Sequence, residues 1–483
     1  MASDRNTGSY GNILKGISLF GGVQIFQILI NLLRGKFVAM FLGPSGMGIA
    51  SLFTTSTDSL IRFSTLGVKL AVVRETAVSK ESSEALGDVV RVTRSIIRIT
   101  GFIGAIICMI LAPWLSEASF GTDDYAWQYR LLSIFVFLMV VNDGQLGLLQ
   151  GLHETRKVAM TTLAGSLSGL FLGVPLYWLY GDKGIVPAMI LLSLTTWICY
   201  RIGLHRVGLP ESLPGRKAER RSLSRKILLT GMVLLSSSLT GTAATWLVNI
   251  FVRSWGDISD VGLFNAANSI TMQYAGVVFA AMAMDYFPRL TAASHDEALS
   301  RTIIDRQMEI VAMLATPFSL LLAATAPLVI KLLLTPEFMP TLELFRWLAL
   351  SILLKALCYP LGYLPLAKGK QKLFFWEEAI ANNVLYLGLS LLFYHHFGLI
   401  GLGYSSVVEY TGVMIVYLLV NARIFRYKPN REACREIIMA LIFGAAGFAC
   451  SMIPSMLWSS VATGTVCVAC AVRSAINIKA RLR

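Results

Sequence analysis

The chain has 483 residues, of which 55% are hydrophobic and only 14% charged, with a mean hydropathy of +0.65. A water-soluble fold of this length has nowhere to hide so much apolar surface, so the composition requires a polytopic membrane protein. The net charge of +14 would suit nucleic acid, but basic residues gathered in alternate connections point to membrane topology instead.

The apolar runs are about 20 residues long and continuous, which selects helices over an alternating membrane barrel. They predict an all-α protein with about fourteen spans, at 12–42, 46–73, 95–113, 127–150, 158–180, 184–204, 226–253, 262–287, 303–334, 342–366, 373–395, 398–422, 436–455 and 457–473. The first apolar segment is too long for a cleavable signal peptide. Connections after the even-numbered spans, with both termini, hold most of the Lys and Arg, from Arg74 and Lys80 through Arg216–Lys226 to the tail ending at Arg483. The opposite connections carry Glu117, Asp123, Asp124, Asp182, Asp257, Asp260 and Glu337. The positive-inside rule therefore predicts cytoplasmic termini and a multi-pass inner-membrane protein.

The first two spans place charge at membrane depth. One stripe of the first carries Gln24, Gln27, Asn31 and Arg34, before Lys36 and the turn Gly43-Pro44-Ser45-Gly46. One stripe of the second carries Thr55, Asp58, Arg62, Thr65 and Lys69. At about 100° per residue each set falls within roughly 80° of helix circumference. A guanidinium in hydrocarbon costs several kcal/mol unless it faces a cavity, a partner or a ligand. The two stripes are therefore expected to line a polar, cationic cavity.

Further along, Gly165, Gly169 and Gly173 form a small-xxx-small ladder suited to close helix contact. The stretch His205–Lys226, with Pro210 and Pro214, reads as a basic cytoplasmic linker. It divides the chain into 1–206, a six-helix lobe; 207–225, the linker; 226–427, a second six-helix lobe; and 428–483, an appended helix pair with a basic tail. An offset of 214 residues relates Gly184 to Gly398 and Asn12 to Lys226, the mark of a parallel repeat. The seventh span is polar over several turns, with Ser236, Ser237, Ser238, Thr240, Thr242, Thr245 and Asn249. Those groups either line the cavity or bond back to their own helix.

Lys355 and Glu409 stand near the centres of the tenth and twelfth spans. Asp143, Asp285, Glu309, Glu377 and Glu378 lie nearer span ends and read as structural, and Lys331 and Arg346 as snorkelling residues. The seven cysteines suggest no disulfide framework, and Cys467 and Cys470 read as small core residues. Motifs of phosphate loops, zinc proteases and serine nucleophile elbows are absent. At depth Arg34, Arg62, Lys69 and Lys355 oppose Asp58 and Glu409. That balance calls for an anionic substrate, and guanidinium groups suit phosphates. Asp58 or Glu409 is the candidate for a coupling proton or sodium ion; no other cofactor and no metal is expected.

The run Lys36–Gly48 (KFVAMFLGPSGMG) resembles the first-span signature of Wzx-type polysaccharide flippases. So does the stretch with Leu344-Phe345-Arg346-Trp347, Leu354-Lys355, Tyr359–Tyr363 and Ala367-Lys368, followed by Gly398–Gly401. The resemblance is strongest to the O-antigen and enterobacterial-common-antigen branch of the multidrug/oligosaccharidyl-lipid/polysaccharide exporter superfamily. It implies two six-helix lobes around a central cavity, and movement of an undecaprenyl-pyrophosphate-linked oligosaccharide from cytoplasmic to periplasmic leaflet by alternating access. It also implies that Arg34, Arg62 and Lys355 match cationic positions of the family, Arg34 and Arg62 facing the cavity as in the related lipid II flippases. On this reading Arg34, Arg62, Lys69 and Lys355, with Asn31 and Gln27, receive the substrate. Its partners would be the lipid-linked anionic glycan, membrane lipids and other polysaccharide-assembly membrane proteins. The last two spans depart from the twelve-helix pattern and are similar to an extra pair in lipid II flippases. A lipid II flippase, a drug/cation antiporter and a membrane glycan polymerase are the rival readings.

Overall fold

The computed structural model describes residues 4–210 and 216–482. Side chains outside the described set include those of Gln24, Ser236, Ser237, Ser238 and Asp285, so the expectations placed on them lie outside it too, as does the linker segment 211–215 with Pro214. Every regular element among the described residues is helical. Nine helical stretches among them are long and apolar enough to cross a bilayer.

Two compact units are present, Met1–Trp246 and Leu247–Arg483. The first contains α1 (Asp4–Thr65), α2 (Val68–Ser79), α3 (Ser83–Ile110), α4 (Ala112–Phe120), α5 (Ala126–Gly151), α6 (Thr155–Ser168), α7 (Val174–Tyr180), α8 (Ile185–His205) and the start of α9 (Lys217–Trp255). The rest of α9 opens the second unit, followed by α10 (Ile258–Ala292), α11 (Glu297–Leu333), α12 (Leu342–Gly362), α13 (Leu364–Ala367), α14 (Gln371–Phe374), α15 (Asn383–Phe397), α16 (Gly401–Ile424), α17 (Arg431–Ser451) and α18 (Met456–Leu482). The start of α9 is bound to the first unit by two ion pairs. Lys226 meets Glu75 at 2.7 Å, and Arg216 meets the buried Asp88 at 3.2 Å.

At 62 residues, α1 would measure about 93 Å if straight, three times a bilayer core. It bends at Gly43, whose φ of 62° and ψ of −169° lie outside helical values. Pro44 follows, lacking the amide and crowding the preceding turn. The predicted second span differs from the structure in one respect. It breaks at Leu66 and Gly67, both with positive φ, and restarts as α2. The cause is a crossing of backbones: a Cβ on Gly67 would lie 2.2 Å from the Gly231 carbonyl oxygen, and one on Gly231 would lie 2.2 Å from that of Leu66. Only glycine at both positions lets α1 and α9 approach so closely.

The repeat between units is real in local geometry, but its register differs from the predicted 214. Gly181 (φ 55°, ψ −133°) and Gly398 (φ 61°, ψ −145°) both turn the chain where no L side chain fits comfortably. Three residues on, a Cβ on Gly184 would meet the Leu176 carbonyl oxygen at 2.2 Å, and one on Gly401 that of Phe393 at 2.1 Å. Matching Gly181 with Gly398 and Gly184 with Gly401 sets the offset at 217 residues. The opposite ends of these hairpins match as well. His153 and Gly369 have positive φ, and the next amides reach back to Leu149 and Pro365 carbonyls at 3.2 and 2.9 Å. A single-residue discrepancy absorbed by the π-helical turns Gly169–Gly173 and Phe375–Asn382 is all that separates the two ends. The small-xxx-small ladder packs as expected: a Cβ on Gly165 or Gly169 would strike Thr196 or Leu192 of α8.

The final helix pair packs closely on the helices before it. Ser459 of α18 accepts from the buried Arg346 guanidinium at 2.9 Å, so Arg346 holds α12 to α18 instead of snorkelling. Cys467 donates to the Pro317 carbonyl at 3.2 Å and, with Cys470, packs against Leu320 of α11. Glu436, almost fully buried, pairs with Arg473 at 2.8 Å and so joins α17 to α18.

Replacing Gly231 by Ala should destabilise the fold by about 3 kcal/mol, at the upper end for overpacking. Gly464→Ala, where a Cβ meets nothing within 4 Å, should be neutral or slightly stabilising. Thermal unfolding of the two purified variants in detergent checks this; equal melting temperatures would refute the backbone-contact account.

Candidate functional site

On α1 before its bend, Gln27, Asn31 and Arg34 share a half-buried stripe. Phe26, Leu29 and Leu33, each about half exposed, occupy a different face. Helix geometry thus separates a polar stripe from an apolar face suited to lipid. Arg34 is near enough to act electrostatically on Tyr177 of α7. The bend itself lies beside the Gly181–Gly184 turn, since a Cβ on Gly46 would lie 2.6 Å from an Asp182 carboxylate oxygen.

Beyond the bend, Arg62 is exposed and Asp58 half-buried one helical turn away. Thr55 and Thr65 spend their hydroxyls on α1 itself, on the Ser51 and Arg62 carbonyls at 2.8 and 3.0 Å. The break at Gly67 takes Lys69 off this stripe and into α2. There its ammonium meets Asp143 of α5 at 3.4 Å. Asp143 also acts on Asp58, as Arg62 does. Four charges therefore form one group, Arg62 and Lys69 against Asp58 and Asp143, and the local excess of positive charge expected from α1 alone is offset. Asp143 had no signal in the sequence beyond an apolar neighbourhood; its partner lies 74 residues away.

The second unit assembles its own group around Lys355 of α12. The ammonium lies 5.4 Å from the Tyr410 ring centre, a cation–π distance, and 3.6 Å from the Met272 sulfur. Glu409 of α16, only 3% exposed, and Glu378 are the carboxylates acting on it. Glu378 accepts the Tyr417 hydroxyl at 2.7 Å. Beside it Glu377 is buried, and neither of its oxygens has a hydrogen-bond partner among the described residues. The pair sits on the π-helical turn Phe375–Asn382, whose wider winding is common at functional positions. Thus Glu377 and Glu378, expected to be structural, stand with the two residues singled out from sequence. In α9, Thr242 and Thr245 bond back to Leu239 and Gly241 carbonyls at 3.1 and 3.0 Å. Asn249 is buried and accepts from Asn265 at 3.0 Å.

Among the described residues no cluster of three or more His, Cys, Asp or Glu side chains is arranged to hold a metal ion. The structure thus offers two charged groups, one in each unit. The first pairs two cations, Arg62 and Lys69, with two carboxylates, Asp58 and Asp143. The second sets Lys355 beside Glu409 and Glu378, with Glu377 next to Glu378.

Residues 13–294 match the family described as polysaccharide biosynthesis protein. A "Lipid III flippase" from Escherichia coli (strain K12) is 22% identical over 401 residues, covering 83% of this chain and 95% of that protein. The fold is similar to that of "Lipid II flippase MurJ, inward closed conformation", with a TM-score of 0.71 and 12% identity, covering 96% of this chain and 100% of that one. It is equally similar, at TM-score 0.71 and 19% identity, to an inward-facing multidrug resistance MATE family transporter of the MOP superfamily, over 84% of this chain and 98% of that one.

A double-mutant cycle on Lys69→Ala and Asp143→Ala should return a coupling of about 0.5–1 kcal/mol in thermal stability, as for a half-exposed pair. Strictly additive effects of the two substitutions would mean that the ion pair does not form.

Proposed function

The chain belongs to the polysaccharide biosynthesis protein family, and we propose that it is an inner-membrane flippase for an undecaprenyl-pyrophosphate-linked oligosaccharide of O-antigen or enterobacterial-common-antigen type. It moves this lipid from the cytoplasmic to the periplasmic leaflet by alternating access. The relative named a lipid III flippase supports the lipid-linked glycan as substrate.

One observation carries the reading: α1 bears an exposed guanidinium, Arg62, and a half-buried stripe of Gln27, Asn31 and Arg34 within an apolar stretch long enough to cross a bilayer. An arginine there is tolerated when a mobile anion uses it. In the proposed mechanism Arg34 and Arg62 grip the pyrophosphate through paired N–H donors. Gln27 and Asn31 offer hydrogen bonds to sugar hydroxyls, while the polyprenyl tail stays in lipid. Lys69, already paired with Asp143, is the weaker of the basic ligands and acts by releasing its carboxylate as the phosphate arrives. Asp58 is placed to exchange partners in the same way.

In the second unit Glu409, with Glu378 and Lys355, is proposed to hold the coupling proton or sodium ion. The excess of carboxylates there also favours a second reading, a drug/cation antiporter. Binding separates the two: the flippase binds a pyrophosphate-linked lipid and the antiporter an organic cation.

Arg62→Ala should weaken pyrophosphate-lipid transport about 10- to 100-fold, the loss of a charge-assisted bidentate contact. The measurement is accumulation of lipid-linked glycan on the cytoplasmic leaflet of cells carrying only the variant, with membrane insertion checked alongside. Full transport would remove Arg62 from the substrate path. Glu409→Gln should leave substrate binding intact but abolish the response of transport to an imposed proton or sodium gradient. An unchanged gradient response in proteoliposomes would exclude Glu409 from coupling.

A further inference from the structure

The first unit also contains a basic cavity whose lining includes none of the residues of its charged group. It is a groove of about 760 Å³ in the first unit, floored by α5 and walled by α3 and α8. Arg94 and Arg98 come from α3, and Arg201 and His205 from α8. An adjoining cavity of about 550 Å³ shares Arg94, Arg98 and His205 and adds Arg91. Along α3 the arginines follow one another at spacings of three and four residues, so they stack on one face and repel. Arg98 and Arg201 both act on Arg94. No ion pair joins any of these arginines to a carboxylate among the described residues, and neither cavity is lined by an acidic side chain. Three other basic residues of this unit, Arg216, Lys226 and Lys69, are by contrast paired with carboxylates.

The rest of the groove is apolar. Phe137, Leu138 and Val141 make its floor, and Trp197 stands on its wall with the Arg201 guanidinium 5.3 Å from the ring centre. Above the basic end, the outer surfaces of both walls are exposed and hydrophobic. Ile99 and Phe102 on α3 are 59% and 62% exposed, and Ile198 and Ile202 on α8 are 42% and 47% exposed. Apolar residues exposed on both walls of a membrane helix pair face acyl chains. The side-chain amide oxygen of Gln145 at the groove is buried without a hydrogen-bond partner among the described residues. Its acceptor suits a donor such as a glycerol hydroxyl.

We infer that this groove binds a phospholipid of net negative charge. Its phosphate sits among Arg94, Arg98 and Arg201, and one acyl chain lies along Phe137 and Trp197. Arg94, Arg98 and Arg201 are exposed at the mouth with no carboxylate beside them among the described residues, and such a cluster of one sign of charge in a cleft attracts an anion. The apolar floor demands that the anion carry a hydrophobic tail, which inorganic phosphate lacks. Basic pockets between helices at the end facing an anionic leaflet recognise lipid headgroups by the same combination. This site is separate from the Arg34–Arg62 substrate path and goes beyond the flippase assignment, since it serves a resident lipid.

The test uses the purified full chain in detergent, with phosphatidylglycerol or phosphatidylcholine carrying brominated acyl chains as probes. Bromine quenches tryptophan at contact, and the difference between wild type and Trp197→Phe isolates the signal of Trp197. Brominated phosphatidylglycerol should quench that signal saturably and brominated phosphatidylcholine should not. In Arg94→Gln/Arg98→Gln/Arg201→Gln the phosphatidylglycerol affinity should fall about a hundredfold, from roughly 1 kcal/mol per basic residue. Arg94→Lys/Arg98→Lys/Arg201→Lys, which keeps the charge, should retain most of it. The wild-type lipid comparison stands even if the neutral variant fails to fold. Equal quenching by both lipids, or undiminished affinity in a folded neutral variant, overturns the proposal. Displacement of brominated phosphatidylglycerol by an equal concentration of inorganic phosphate would make this a free-phosphate site and overturn the lipid assignment.

Discussion

A charge inside hydrocarbon must be neutralised, cradled or used, and most of the polar architecture of this protein follows from that constraint. The first unit meets it by pairing Lys69 with Asp143, within reach of Asp58 and Arg62. The second meets it by packing Lys355 against the Tyr410 ring among carboxylates. Arg346, one of two basic residues expected to snorkel to water, is instead buried on the Ser459 hydroxyl. Each solution also ties helices together, so the same contacts that remove an electrostatic penalty set which helices are neighbours.

Backbone geometry supplies the second constraint. Glycines occupy the places where the chain must bend or where two backbones touch. Gly43 bends α1, Gly67 and Gly231 let α1 and α9 cross, and Gly181 and Gly398 turn matching hairpins in the two units. These positions do not merely permit the fold. The break at Gly67 is what carries Lys69 away from the face of Arg62 and toward Asp143, so a backbone feature decides the electrostatics of the site.

The helical class, the membrane character and a repeat of local geometry were legible in the sequence, because long apolar runs and recurring glycine turns are local signals that survive without tertiary knowledge. The register of the repeat was not. Gly184 and Gly398 look alike in sequence, but Gly398 plays the part of Gly181, and only the positive φ values and the carbonyl contacts of Gly184 and Gly401 reveal it. The individual charged residues were legible too, since Arg34, Arg62, Lys355 and Glu409 stand out in apolar surroundings. Their partners were not. Asp143 is 74 residues from Lys69, and Glu377 and Glu378 looked like helix-end residues until a π-helical turn brought Glu378 to Lys355. Periodicity finds a stripe on one helix, but it carries no information about which helix packs opposite.

Pairing also bears on where binding can occur. A site whose charges are mutually satisfied gains little from a ligand, because the incoming group must first displace an existing partner. The Lys69–Asp143 pair is of that kind, so it suits a step that exchanges partners more than a resting anion site. The second unit is the opposite case. Glu377, Glu378 and Glu409 outnumber Lys355, and both oxygens of Glu377 are buried without a hydrogen-bond partner among the described residues. Three ionised carboxylates cannot share one ammonium in a low dielectric, so protons or a cation must make up the difference.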